Sequence, residues 1–267
     1  PAISVEGLEA ETDARRGQGV FKRIRKAMEN LRTAGVPFGI SATATRDNAE
    51  LLVSDEFVDF YFDEQGAIYG WIFHYMPIGR SFTLDRMITP EQRLMMYERE
   101  QYLVNERKIF LADFWNSGPV SNGCIAAARP GGYFYIDWNG NVAPCVFFPY
   151  STHNIVEVYN SGGNLNTVIG SPYFEAIRKW QRAYGYGQPP ERVQNEIVPC
   201  AIRDHYRLAH GVVKKFAAKP IDEDAAEAIK DQDYYRRLVD YGRKVDQLTR
   251  PIWEQEYLAP ERTRLAS

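Results

Sequence analysis

Asn122-Gly123-Cys124-Ile125-Ala126-Ala127-Ala128-Arg129-Pro130-Gly131-Gly132-Tyr133-Phe134-Tyr135-Ile136-Asp137-Trp138-Asn139-Gly140-Asn141-Val142-Ala143-Pro144-Cys145 holds two of the three cysteines in the chain. Fifteen residues separate Cys124 from Gly140, and four more separate Gly140 from Cys145. Tyr133 to Asp137 alternates as a strand does, Asn139-Gly140 reads as a two-residue hairpin turn, and the return strand runs into Cys145. The third cysteine, Cys200, lies far downstream in Asn195-Glu196-Ile197-Val198-Pro199-Cys200-Ala201-Ile202-Arg203-Asp204-His205. A hairpin that ends in a thiol, with one thiol before it and another well after it, suits the fixing of sulfur around an inorganic centre. Thiolates serve iron–sulfur clusters and zinc. His205, five residues after Cys200, keeps zinc open as a reading, because a histidine would join three thiolates. Free cysteines are also commonly small buried hydrophobes. The wide Cys124–Cys145 gap is unlike the short-spaced pairs usual for zinc. It favours a cluster on three thiolates, with a fourth position open or filled by another group such as His205.

Outward from this region the pattern changes. Ala2 to Val5 predicts a short strand, and Glu9 to Gly19 a charged loop. Val20, Ile24, Ala27, Met28 and Leu31 recur at helical spacing, with Gly35 just beyond the end. Pro37 to Thr45 predicts a second strand. Asp47 or Ser54 is placed to cap a helix carrying Phe57, Val58, Phe60 and Tyr61. Ile68 to Tyr75 is a near-continuous apolar strand, as strands covered on both faces are. Thr89-Pro90-Glu91 opens a helix with Leu94, Met95, Tyr97, Tyr102 and Leu103, and Ile109 to Trp115 is a fourth strand. Strands alternating with helices at this spacing predict parallel pairing through helical crossovers. Further on, Ser171-Pro172 begins a helix that buries Ile177 and Trp180. The charged tail from Asp222 is helical on a Tyr234, Leu238, Tyr241 stripe. Of the remaining histidines, His74 reads as a core residue, His153 as a loop residue and His210 as surface.

The 267 residues are 45% hydrophobic, which excludes a disordered chain. A net charge of −3 offers no basic face for nucleic acid. No run is long and apolar enough for a membrane span. An odd, small number of cysteines argues against a disulfide scaffold and points to a reducing cytoplasm. No phosphate loop, dinucleotide fingerprint or Ser-His-Asp nucleophile set is present.

The run Cys124-x15-Gly140-x4-Cys145 resembles the opening of the SPASM/twitch auxiliary-cluster module of radical S-adenosylmethionine (SAM) enzymes. The segment Asn195 to His205 resembles the distal cysteine segment that closes the first auxiliary cluster. Ser4-Val5-Glu6-Gly7, followed by Thr12-Asp13-Ala14-Arg15-Arg16-Gly17 and Gly19-Val20-Phe21, resembles the fourth barrel strand of that superfamily and its outgoing loop. Phe38 to Asn48 looks like the fifth strand, and Trp71 to Gly79 like the sixth. The resemblance spans residues 1–210. It implies an α/β fold: residues 1–115 as the C-terminal part of a partial TIM-like barrel, 116–215 as a small α+β cluster module, and 216–267 as a helical extension. It implies SAM contacts from Ser4, Glu6, Arg16, Ser41, Thr43, Tyr75, Met76 and Pro77. Hydroxyls at strand ends suit ribose or carboxylate, and the Arg16 fork suits the methionine carboxylate. It implies an auxiliary 4Fe–4S cluster on Cys124, Cys145 and Cys200, with Asp137 on the hairpin as a candidate proton acceptor.

Radical SAM enzymes carry a CxxxCxxC loop whose cluster cleaves SAM to a 5′-deoxyadenosyl radical. That motif is absent here, so the expectation is the C-terminal part of such an enzyme, inactive alone. The three cysteines support at most one auxiliary cluster. A peptide or small-molecule substrate and an electron-donor protein are the partners the resemblance implies. The alternative is a non-enzymatic zinc- or cluster-stabilised scaffold.

Overall fold

Ala2–Val5 (β1), Gly39–Ala44 (β2), Gly70–His74 (β3) and Leu111–Asp113 (β4) form one sheet in the order β1-β2-β3-β4, and every pairing is parallel. The computed structural model describes residues 1–259. It divides into two units: Pro1–Tyr75 with Asp85–Ser117, and Met76–Leu84 with the chain from Gly118 onward.

In the first unit the register decides what each face carries. Ser4 pairs with Ser41, Ser41 with Trp71, and Thr43 with Phe73, so these side chains share a face. Val5, Ile40, Ala42, Ala44 and Ile72 are buried on the other face. That second face packs on the crossover helices Glu9–Arg16 (α1), Val20–Thr33 (α2), Ala49–Leu52 (α3), Asp55–Val58 (α4) and Pro90–Asn105 (α5). Met28, Leu52, Phe57, Tyr61, Met96 and Leu103 fill the core between them. Ser54, not Asp47, caps α4 by accepting from the Phe57 amide at 3.2 Å.

Three expectations for the first unit need correction. The charged stretch after β1 is helix α1, not a loop. Its buried face is polar, Thr12 and Asp13, so no hydrophobic period betrays it. The Asp13 carboxylate accepts the Gly19 and Phe21 amides, each at 2.7 Å, and so starts α2. Strands two to four are also shorter than their apolar runs. Finally, α5 turns inward with Arg93, Met96, Tyr97, Glu100 and Leu103, while Tyr102 is exposed.

The polar residues on the inner side of α5 belong to a buried network at the ends of β3 and β4. Asp113 Oδ2 takes hydrogen bonds from Asn116 Nδ2 at 2.9 Å and lies 2.8 Å from His74 Nε2. Its Oδ1 accepts the Trp115 and Asn116 amides. Arg93, fully buried, donates to Asn116 Oδ1 and the Trp115 carbonyl. Glu100 Oε1 accepts the Asp113 amide at 2.8 Å, whereas its Oε2 is buried with no hydrogen-bond partner. Burial, followed by the Asp113 charge, pushes the Glu100 carboxyl from 4.5 up to about 8. The folded state therefore binds this proton where the unfolded state has released it. The stability this carboxyl contributes is fullest below pH 4.5 and falls as pH rises toward about 8, at up to about 1.4 kcal/mol per unit. Glu100→Gln keeps the acceptor and removes the titration. Urea melts across this window should show a flatter pH dependence and a more stable variant at pH 8. Equal slopes in the two proteins would refute the assignment.

The second unit is mixed. Tyr135–Ile136 (β5), Asn141–Ala143 (β6) and His153–Asn154 (β8) form an antiparallel sheet in the order β5-β6-β8, and Tyr150–Ser151 (β7) pairs with Lys219–Pro220 (β9). Helices Ile155–Asn160 (α6), Leu165–Ile169 (α7), Pro172–Tyr184 (α8), Tyr206–Lys215 (α9), Glu223–Ala228 (α10) and Gln232–Ile252 (α11) surround these strands in sequence. The hairpin is built on a three-residue turn rather than two. The Asp137 amide donates to the Asn141 carbonyl, and Gly140 sits at φ 84°. A left-handed third residue is the usual solution for that loop length. In α8 Ile177 is buried, but Trp180 is only half-buried, against Tyr184 and His205. His153 lies in β8, and His210 is half-buried against Tyr206 and Tyr235 rather than on the surface. No described helix is long and apolar enough to cross a membrane.

Candidate metal centre

The three cysteines sit on loops whose backbones are tied to one another. The Ala127 amide donates to the Pro144 carbonyl at 2.8 Å, joining the loop after Cys124 to the residue before Cys145. On the other side, Gly118 lies against the segment before Cys200. A Cβ there would stand 1.9 Å from the Glu196 carbonyl and 2.8 Å from Pro199 Cγ. Gln181 of α8 donates to the Cys124 and Ala126 carbonyls. The Cys200 amide donates to Asp204 Oδ2 at 3.1 Å, and the same carboxylate pairs with fully buried Arg203. Helix α11 closes this loop from outside, where Gly242 lets the Asp204 carbonyl approach its backbone.

The thiols act on one another. Burial pushes the Cys145 thiol well up, and the Cys200 and Cys124 thiols add to it. The Phe147 amide and the Tyr133 hydroxyl, both hydrogen-bond partners of Cys145, pull the other way. Burial, then the Asp204 charge, pushes Cys200 up to about 11, with Cys124 contributing and the Arg203 charge and amide opposing. All three thiols are free of any disulfide, on loops tied together by the backbone contacts above.

Three cysteine thiols are the donor type that an iron–sulfur cluster takes. Thiolates suit iron, and the loops that carry the three thiols are tied to one another by backbone contacts. Among the described residues no three His, Cys, Asp or Glu side chains converge tightly enough for a single ion. Ligands of a cluster stand farther apart than those of one zinc, because inorganic sulfide lies between the irons.

The other expected contributors fall as follows. His205 is engaged elsewhere: Nε2 is 2.8 Å from the Val198 carbonyl, and the ring packs between Trp180 and Tyr184. Asp137 serves the hairpin, with Oδ1 accepting the Asn139 and Asn141 amides and Oδ2 accepting Asn141 Nδ2. In the first unit, Ser4, Ser41 and Thr43 share the sheet face away from the helices. Glu6 is buried and takes both Arg15 and Arg16, the latter through Nε at 2.9 Å and Nη2. Its carbonyl accepts Asn48 Nδ2 at 2.8 Å, which ties the exits of β1 and β2 together. The Tyr75 amide continues the ladder by donating to the Ala44 carbonyl. Met76 and Pro77 belong to the second unit, where the Pro77 carbonyl accepts the Tyr234 hydroxyl at 3.0 Å.

Sequence reasoning missed Tyr133, Arg129 and Glu196. Arg129 and Glu196 are buried beside Gly123. Arg129 stacks 4.0 Å over the Tyr186 ring with its Nε unpartnered, and burial pushes Glu196 up to about 7 against the pull of Arg129. Nothing in the local pattern marks these residues, because their partners come from distant loops.

Mycofactocin maturase MftC of Mycobacterium tuberculosis is 28% identical over 239 residues, covering 85% of this chain and 56% of the relative. The protein of that name from Mycolicibacterium smegmatis is 29% identical over 245 residues, with the same coverage. These relatives support the resemblance to radical SAM enzymes. It spans about half the length of the curated relatives it matches. The solved structure of native anSMEcpe with bound AdoMet and a Cp18Cys peptide superposes with a TM-score of 0.50 at 13% identity, over 94% of this chain and 67% of that one. That likeness supports the radical SAM fold, here as an α/β chain with a four-stranded parallel sheet. No family model matches the chain.

Proposed function

We propose that this chain is the C-terminal part of a radical SAM enzyme that modifies a peptide, and that Cys124, Cys145 and Cys200 hold an auxiliary 4Fe–4S cluster. The observation that carries this reading is that the loops bearing Cys124, Cys145 and Cys200 are tied together by close backbone contacts. A peptide substrate is supported by the solved relative that carries AdoMet and a peptide, and by relatives named as maturases. When bound, such a cluster supplies one-electron chemistry. The residues of the chain do the rest. The three thiolates hold the iron, and the Phe147 and Arg203 amides neutralise part of the thiolate charge. The Asp204–Arg203 pair fixes the Cys200 loop. Ser4, Ser41 and Thr43 present hydroxyls, and Glu6 holds Arg16 in orientation at the exit of β1, where a SAM carboxylate would be met.

The test is anaerobic reconstitution of the purified chain followed by iron and sulfide analysis. The expected result is about four of each per chain with broad visible absorption, lost in the Cys124→Ser/Cys145→Ser/Cys200→Ser variant. Zinc in place of iron, with no visible band, would overturn the reading in favour of a structural scaffold.

A further inference from the structure

Residues 80–84, between β3 and α5, form neither helix nor strand. Leu84 is buried and Phe82 half-buried, yet the backbones of Arg80, Phe82 and Leu84 make no hydrogen bond with any described residue. Ser81 and Thr83, between them, have partners of their own. Alternate residues of an extended chain turn their amides and carbonyls to one side, so this spacing is that of one strand edge. Buried backbone groups are nearly always paired, and these ask for a partner. The segment lines an open groove of about 390 Å³ together with Asp224 of α10 and with Asp231, Asp233, Tyr234 and Arg237 at the start of α11. That is the size of a ligand cleft. Its walls are fixed. Tyr234 donates to the Pro77 carbonyl at 3.0 Å and meets the Phe82 ring edge-on, centroids 5.6 Å apart. Asp231 caps α11 by accepting the Asp233 and Tyr234 amides. The lining charge is uneven, two arginines against three aspartates. Asp231 is held by its cap, and Asp233 pairs with Arg236 and Arg237. The half-buried Asp224 carboxylate has neither hydrogen bond nor ion pair with a described residue.

We propose that this groove docks a peptide in extended conformation, its backbone pairing with the free edge at Arg80, Phe82 and Leu84 and a lysine or arginine side chain meeting Asp224. This inference rests on the peptide reading above and gives the peptide a docking place apart from the thiol loops. Main-chain pairing supplies affinity with little regard to sequence, and the side chains around the groove supply the choice. The excess of carboxylate over guanidinium favours a basic segment over an acidic one. The capped first turn of α11 and the anchored Tyr234 hold the groove in shape before the peptide arrives, which lowers the ordering cost of binding.

The experiment uses the full chain, a fluorescein-labelled peptide of alternating lysine and valine as probe, and its glutamate–valine counterpart as control. In hydrogen–deuterium exchange the amides of Arg80, Phe82 and Leu84 should exchange fast in the free chain and slow when the lysine probe is added. In fluorescence anisotropy the lysine probe should bind more tightly than the glutamate peptide, and Asp224→Asn should weaken it about fivefold. Equal binding of the two peptides, or an Asp224→Asn protein that binds as wild type does, overturns the inference. Tight binding that leaves 80–84 fast overturns the groove and keeps the peptide reading. The exchange measurement needs no variant, so it decides the matter even if Asp224→Asn does not fold. Iron and sulfide analysis of the same preparation keeps the two readings apart. Full iron with no slowing at 80–84 sinks the groove and leaves the cluster, whereas slowing without iron does the reverse.

Discussion

Gly118→Ala is expected to cost about 3 kcal/mol or more of stability, because the added methyl has nowhere to go. The ideal Cβ stands 1.9 Å from the Glu196 carbonyl oxygen, which is backbone and cannot rotate away, and 2.8 Å from Pro199 Cγ. Relief requires the 118–123 loop and the 196–200 loop to move apart. That movement separates Cys124 from Cys200. Two readouts should therefore change together: a lower urea midpoint, and a loss of iron after reconstitution greater than the loss of fold explains. A surface control such as Gly211→Ala, where a Cβ meets nothing within 4 Å, should leave both unchanged. A Gly118→Ala protein with full iron and an unaltered midpoint would show that the two loops do not touch as described.

The second large effect is expected in the first unit. Asp113→Ala removes the acceptor for the Trp115 and Asn116 amides and for the Asn116 side chain, and it takes a buried carboxylate away from fully buried His74. Buried Arg93 also loses the negative charge it faces. Breaking a buried ion pair by deleting one member costs about 3–5 kcal/mol. A thermal midpoint lower by about 10 °C or more is the corresponding shift for a chain of this size. Asp113→Asn keeps several of these bonds and should lose less. Burial works to raise the Asp113 carboxyl, but His74 and the surrounding donors outweigh it and hold the group below its ordinary range. Its contribution is present at neutral pH and is lost as pH falls through the folded value. The gap between wild type and Asp113→Ala should narrow in acid. An Asp113→Ala protein as stable as wild type at pH 7 would sink this account.

Much of the first unit was legible because its signals are local. Parallel β1 to β4 follows from apolar runs separated by helices, and α5 announces itself through Thr89, Pro90 and the Gln92 that completes its capping box. His74 was readable as core because it stands in an apolar strand. The helix α1 was not legible, since its inward residues are Thr12 and Asp13 and their burial is satisfied by loop amides. Nor was the α5 inner face, where Arg93 and Glu100 are buried only because β4 and its following loop supply partners. At the candidate site the cysteine spacing and the hairpin were visible in the chain. The commitment of His205 to Val198 and of Asp137 to its own turn was not.

The amino-acid sequence by itself determined the order of strands and helices, the hairpin that leads into Cys145, and the supply of three unpaired sulfurs, because spacing, capping and turn chemistry act between near neighbours. Only the tertiary structure decided which loops meet. It lets Gly118 and Gly242 accept carbonyls at close range and pairs Asp113 with His74. These contacts join residues far apart in the chain, and their strength comes from burial, which no local stretch of sequence contains.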